Sequence, residues 1–439
     1  MTSRFAVRKR TNKAFALLLS VTVLFLYVLF FQKTSNDVSN EFLHYPILLW
    51  WTPFIAETVK VIDCENRFRC IVTKNRSYGY ESNLAAYVFY GSNFNFTDLP
   101  LPRNEIPWVI FHEESPKNLP FFIYKEGQNI FDITATFSRY SDFPVPLQFL
   151  RDLNLLLDTT FYVPLKEKNR LLDRNAPVLY IQSDCDTPIE RDDFVKELIK
   201  YVKIDSYGSC LNNRELPERY GIEKTFENLY DDDFMQFIAQ YKFVIAIENS
   251  ICDDYITEKL WRPLIAGSIP IYLGSPSVED WLPNNNSAIL IKDFKSISAL
   301  ADYINRINND DNIYTKYMQH KLGTENVKIT NELLKRTLQK GHYGIENNED
   351  FPIPAFECFV CKSIHLKAYR KHRKQSVYNC EEPTSKDETK ENWWKNHWHH
   401  GRCQAKTLWY LLEVAKVSHS FTAEMFQEKY DELNSNNKC

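Results

Sequence analysis

Two short stretches of this chain carry residue types that can do chemistry at spacings that matter. The first is Glu248-Asn249-Ser250 followed by Thr257-Glu258-Lys259. Phe243 to Ile247 before it is a continuous apolar run, as expected of a strand buried on both faces of a parallel sheet. Thr257 is placed to cap a helix whose Leu260, Trp261, Leu264 and Ile265 share one face; Gly267 stops it, and Ile269 to Leu273 reads as the next strand. The unit is βαβ, with its polar residues at the carboxyl end of the first strand, where open α/β sheets bind ligands. A helix N-terminus offers N–H groups to a phosphate, Lys259 adds a full charge and Glu258 can accept from a ribose diol. Such a junction can hold a sugar nucleotide without a glycine-rich loop. The same spacing also describes an exposed Glu258–Arg262 ion pair beside a solvated Lys259. Pro263 inside the helical pattern predicts a kink or an early break.

The second stretch is Trp108 to Pro116, WVIFHEESP. Strand-like Val109-Ile110-Phe111 delivers His112, Glu113 and Glu114 to a loop facing a cleft. A carboxylate there can take the proton from an attacking hydroxyl as it reaches an activated carbon. The adjacent acid, Glu113, can raise the pKa of that base by like-charge repulsion. His112 is either an alternative base or a structural histidine, and the acid pair can equally cap a strand on the surface.

The elements that must position these residues follow from the rest of the chain. Its 439 residues, 44% hydrophobic and 25% charged, suffice for two or three globular units, and a net charge of −4 gives no reason to expect nucleic acid. Arg4, Arg8, Lys9, Arg10 and Lys13 precede the uncharged run Ala14 to Phe31. That run predicts a signal-anchor transmembrane helix at 14–31, with a cytosolic tail at 1–13, a short stem at 32–45 and a luminal body beyond. The expected protein is thus a single-pass type II protein of the Golgi or endoplasmic reticulum membrane. Sequons at Asn75, Asn95 and Asn285 agree with a lumen. So do ten cysteines: Cys64 and Cys70 are close enough to staple one loop, while Cys358, Cys361, Cys380 and Cys403 cluster in the tail. Disulfides are expected there, with a zinc site using nearby histidines as the competing reading. Alternating apolar runs predict one α/β domain at 46–165 and a second at 177–345, followed by a Cys-, His- and aromatic-rich region at 350–439. Oligomeric state is left open.

The run from Glu248 to Ser250 with Asp254-Tyr255-Ile256-Thr257-Glu258-Lys259-Leu260 and Ala266-Gly267-Ser268-Ile269-Pro270 resembles the signature of the family-10 α-1,3-fucosyltransferases. Glu114-Ser115-Pro116 resembles the family's E-S-P, and the likeness extends over residues 105 to 300. Ser275-Pro276-Ser277-Val278 and Trp281-Leu282-Pro283-Asn284-Asn285 are similar to the animal branch numbered ten and eleven in vertebrates. The resemblance implies a GT-B-like pair of Rossmann-type domains, the acceptor side in the first and GDP-L-fucose in the second. It implies Glu114 as the catalytic base and Arg191, Asn249, Tyr255, Glu258 and Lys259 as donor-binding residues. Arg139 lies in a segment resembling the family's Y-R-x-D-S-D and is expected either in the cleft or in an inter-domain ion pair. Where the Lewis-type enzymes have V-P-Tyr-Gly, this chain has Val145-Pro146-Leu147-Gln148 and lacks an aromatic there.

The implied reaction is inverting transfer of L-fucose to an acceptor hydroxyl, α-1,3 to GlcNAc of a glycoprotein glycan. The alternative is protein O-fucosylation of Ser or Thr in small disulfide-rich domains of the EMI type. A non-catalytic luminal binding protein and a metal-dependent transferase using Asp184-Cys185-Asp186 are the other classes. With Arg191 and Lys259 available to hold a diphosphate, no obligatory metal or cofactor is expected.

Overall fold

The computed structural model describes residues 44–439 apart from 53, 55–58, 221–229, 340–351, 370–375 and 384–391. The expected signal anchor at 14–31, the cytosolic tail and nearly all of the stem lie outside the described residues. Among the described residues no helix is long and apolar enough to cross a membrane.

Two sheets organise the chain. The first has seven strands: β1 (Ile47–Trp50), β2 (Lys60–Cys64), β3 (Phe68–Thr73), β4 (Leu84–Tyr90), β5 (Trp108–His112), β6 (Ile133–Thr136) and β7 (Phe143–Pro144), in the order β2-β3-β1-β4-β5-β6-β7. All neighbours are parallel except β2 and β3, an antiparallel pair at one edge. The second has five parallel strands: β8 (Val178–Ile181), β9 (Ile204–Tyr207), β10 (Phe243–Ile247), β11 (Ile269–Leu273) and β12 (Ile289–Leu290), in the order β12-β11-β10-β8-β9. The reversal of strand order beside β10 is the kind of switch point at which α/β sheets bind ligands.

Burial follows the period of two along each strand. Ile47, Leu49, Tyr87, Phe89, Trp108 and Ile110 enter one core of the first sheet, while Leu48, Trp50, Val88, Val109 and Phe111 enter the core on the other face. A parallel sheet needs both faces covered, and here the C-terminal region supplies cover on each. The helix Ile353–Leu366 packs Phe356 and Val360 on one face, and the helix Trp393–Ser418 packs Leu408, Leu411 and Leu412 on the other. Leu147, Leu150 and Leu156 already belong to the core of the second sheet, so the chain leaves the first unit soon after β7.

All ten cysteines pair. Cys64 and Cys70, close enough in sequence to staple one loop, do not pair with each other. Neighbouring strands β2 and β3 instead offer them to the C-terminal helix, as Cys64–Cys358 and Cys70–Cys361. Cys185–Cys210 ties a loop of the second unit, Cys252–Cys380 ties the signature loop to the tail, and Cys403–Cys439 closes the C-terminus. Sulfurs joined in this way are not thiolates for zinc, so the two cysteine–histidine groups of the tail, Cys361 with His365 and Cys403 with His399, are built around disulfides.

Candidate active site

The signature unit folds as its residue types require. Thr257 caps the helix Glu258–Ala266 by accepting from the Lys259 N–H, and Gly267 ends it in the left-handed conformation at φ 76°. Pro263 does not break this helix; it lies in the middle of nine helical residues. Beneath the helix's far end, the buried Lys168 side chain donates to the carbonyls of Tyr241 and Gly267 and to the Ser268 hydroxyl. The stretch at 166–170, which reads as a charged interruption, therefore hides an amine whose pKa burial pushes well below the ordinary lysine value and whose hydrogen bonds tie down the end of the helix.

At the opposite end the helix is aimed by Glu248, fully buried at the exit of β10. Its carboxylate accepts from the Thr257 N–H at 2.8 Å and from the Thr257 hydroxyl at 2.7 Å. Sequence reasoning gave Glu248 no role. The signal available was an acid in an otherwise apolar strand exit, nine residues before a capping threonine.

Above this helix end lies a cleft of about 700 Å³, in the range of small-molecule sites. Glu113 and Glu114 contribute from the first unit, and Arg191, Asn249, Tyr255, Glu258 and Lys259 from the second. Six residues expected to act together, Glu114 and the five donor-side residues, thus share one cavity. Arg191 is 1% exposed, donates to the backbone carbonyl of Asp184, and reaches the Ile247 carbonyl at the end of β10 at 3.5 Å. Among the described residues, the buried Asn249 Oδ1 and Glu113 Oε2 find no hydrogen-bond partner. Phe149 also lines the cleft. Leu147, where the Lewis-type enzymes carry an aromatic, is packed in the core.

Electrostatics differ across the cleft. Burial raises the Glu114 pKa against the opposing pull of Lys259, and the neighbouring acid that adds to the rise is Glu258. Burial, not the repulsion from Glu113 expected from sequence, is the largest cause; the repulsion within that pair raises Glu113. Glu113 itself is pushed up to about 7 by burial while accepting from the Tyr90 hydroxyl at 2.8 Å. Burial would also raise Glu258, but Lys259 and Arg262 overcome it and hold this acid at about 2. Lys259 contacts Glu258 at 3.1 Å and Glu248 at 3.9 Å; burial opposes its charge and these acids more than restore it. The attraction between Glu258 and Arg262 thus persists, but within a largely buried charge cluster at a helix N-terminus and not as a solvated surface pair.

Other expected residues lie elsewhere. Arg139 does not line the cleft. It donates from its side chain to Asp254, with contacts of 2.6 and 2.9 Å, pairs with Asp280 at 2.8 Å and packs over Trp281. Asp254 is fully buried, so of the two roles open to Arg139 the structure assigns the inter-domain ion pair. His112 is 1% exposed, packs on Phe122 and meets the Tyr378 hydroxyl at 2.9 Å; burial pushes its pKa down to about 3. It is a core histidine. Asp184 pairs with Lys117, and Asp186 accepts from the Trp394 indole at 2.8 Å. Lys117 directly follows the Glu-Ser-Pro run, yet its partner 67 residues away had no sequence signal. The sequon residues Asn75, Asn95 and Asn285 are exposed.

Residues 44–148 match the family described as "Fucosyltransferase, N-terminal", and residues 171–379 match "Glycosyltransferase family 10 (fucosyltransferase) C-term". The chain is 43% identical over 351 residues to human "GDP-fucose protein O-fucosyltransferase 3", covering 77% of this chain and 72% of that protein. It is 37% identical over 421 residues to the Gallus gallus protein of the same name, covering 90% and 86%. A crystal structure of an alpha1,3-fucosyltransferase with GDP superposes with a TM-score of 0.41 at 22% identity, over 70% of this chain and 84% of that one.

Proposed function

The chain belongs to glycosyltransferase family 10, the fucosyltransferases, and from that premise we propose that it moves L-fucose from GDP-β-L-fucose, with inversion, to a serine or threonine hydroxyl of a folded protein. The observation that carries the chemistry is one cleft holding a raised-pKa carboxylate from the first unit opposite two cations from the second, Arg191 buried and Lys259 partly buried. Glu114 takes the acceptor hydroxyl proton as the new oxygen–carbon bond forms at the anomeric carbon. The bond from that carbon to the β-phosphate oxygen breaks, and GDP leaves with the electron pair. Arg191 and Lys259 stabilise the charge growing on the diphosphate, each acting from a desolvated position where a cation is worth more than in water. Asn249, Tyr255 and Glu258 contact the nucleoside or sugar, and the carboxylate of Glu258 stays ionised to accept from hydroxyl groups.

Sequence reasoning put the GlcNAc hydroxyl of a glycan first among acceptors. The names of the relatives favour the protein hydroxyl, and the reading is revised accordingly. The two units around one cleft are read as a GT-B-like pair. A luminal body behind the signal anchor at 14–31, in Golgi or endoplasmic reticulum, is supported by the five disulfides, which persist in an oxidising compartment. The test incubates the full-length chain in detergent with GDP-fucose and EDTA, offering a folded EMI-type domain or a GlcNAc-terminated glycopeptide, with mass spectrometry as the readout. A gain of one deoxyhexose on the folded domain alone is the expected result. Transfer to the glycopeptide alone overturns the acceptor, and loss of transfer in EDTA overturns the cation mechanism.

A further inference from the structure

Three segments far apart in sequence meet at one edge of the cleft. The first turn of the helix Trp393–Ser418 brings Trp394 there, 8% exposed. Its indole N–H donates to Asp186 at 2.8 Å, and its ring lies 5.7 Å from the Lys117 ammonium. One turn on, the His397 ring packs edge-on against Trp394, with centroids 5.6 Å apart. Lys117 is only 14% exposed and ion-pairs with Asp184, whose carboxylate also stands 3.5 Å from Arg191. Cys185, between the two aspartates, is anchored to Cys210. Trp394 is in none of the hydrophobic cores of the two sheets; it joins two loops.

This arrangement has a mechanical consequence. Glu114 and Lys117 share one short loop of the first unit, while Asp184, Asp186 and Arg191 belong to the second. An indole that holds a cation on its face and donates from its edge restrains both loops at once. Displacement of a reacting group by about 1 Å can cost on the order of a hundredfold in rate, so that restraint acts on turnover more than on affinity.

We propose that Trp394 is a positioning residue for fucosyl transfer, holding Lys117 and the Glu114 loop in register with Asp184 and Arg191 across the cleft. The inference rests on the reading of Glu114 and Arg191 given above. In steady-state assays of the full-length chain, Trp394→Ala lowers kcat about thirtyfold, the combined loss of a cation–π contact and a charge-assisted hydrogen bond. The GDP-fucose Kd from calorimetry moves less than about threefold, because the diphosphate contacts remain. Trp394→Phe keeps a ring and loses the N–H, so it costs about fivefold, and Asp186→Ala matches it. Lys117→Met combined with Trp394→Ala is no worse than the more severe single change, as for residues acting through one contact. Wild-type kcat in Trp394→Ala, independent losses in the double variant, or equal loss of donor affinity and Tm would overturn the inference. If Trp394→Ala folds poorly, a Trp394→Phe variant with wild-type kcat has the same effect. A wild-type chain that binds GDP-fucose and transfers none overturns both this and the reading beneath it; a competent wild type with an indifferent Trp394 overturns this alone.

Discussion

Glu114 on the first-unit wall and Glu258 on the second-unit wall face the same cleft, and burial penalises the charge on both. Glu114 is nevertheless held above the ordinary carboxylate range, while Glu258 is held at about 2. The difference lies in the company each keeps. Glu258 sits at a helix N-terminus beside Lys259 and Arg262, which overcome the cost of burial. Glu114 feels Lys259 and Lys117 too, but burial dominates and the neighbouring acid Glu258 adds to it. One wall therefore presents an acid that can take a proton and the other an acid that stays an acceptor, a division of labour made by environment alone.

The sharpest way to break this comparison is Glu114→Gln. Turnover should fall about a thousandfold, within the range for loss of a general base, while GDP-fucose binding measured by calorimetry is unchanged. Equal loss of binding would put Glu114 on the donor wall instead. Lys259→Met tests the shared cation. Donor affinity should fall about a hundredfold, as for removal of one partner from a desolvated charge contact.

The same variant makes a statement about pH. The base acts only when ionised, so turnover is lost as pH falls through the Glu114 pKa, which lies above the usual carboxylate value. Lys259 holds that pKa down, so its removal should move the acid limb of the kcat profile to higher pH; an unmoved limb would mean the two groups are not coupled.

Of comparable size is the contact that ties the two units together through Arg139 and Asp254. Arg139→Met strands the fully buried Asp254 and should cost about 3 kcal/mol in denaturant unfolding, at the low end for a broken buried pair because Arg139 is a quarter exposed. Asp254→Asn in the same chain should recover part of that loss. The smallest effect is expected of Glu258→Gln, which keeps an acceptor and loses the charge; donor affinity should drop about tenfold with kcat near wild type. A kcat loss as large as that of Glu114→Gln would erase the distinction between the walls.

What could be read from the chain alone was whatever has its determinants close together. The βαβ signature, the Thr257 cap, the Gly267 stop and the buried strand Phe243–Ile247 all lie within some thirty residues, and local propensity and apolar period decide them. Residue types also carried the chemistry, because a carboxylate at a strand exit and a lysine at a helix start keep their meaning wherever they are placed. The causes of the shifts were only partly legible: the repulsion between Glu113 and Glu114, adjacent in sequence, raises Glu113, whereas the acid that adds to the Glu114 rise is Glu258, 144 positions away.

Tertiary structure alone decided how distant segments meet. The pairing of Cys64 with Cys358 spans 294 residues, and nothing in the spacing of Cys64 and Cys70 distinguishes it from a local staple. The ion pairs of Arg139 with Asp254 and of Lys117 with Asp184 join residues of the two units, and so their formation depends on how those units pack, as does the seating of Trp394 between two loops. The chain itself determines which elements form and which groups are available to react. Which of those groups become neighbours, and hence whether a buried acid stays charged or can take a proton, is set by packing between elements, because the charges that govern a pKa act through a few ångströms of space and not along the sequence.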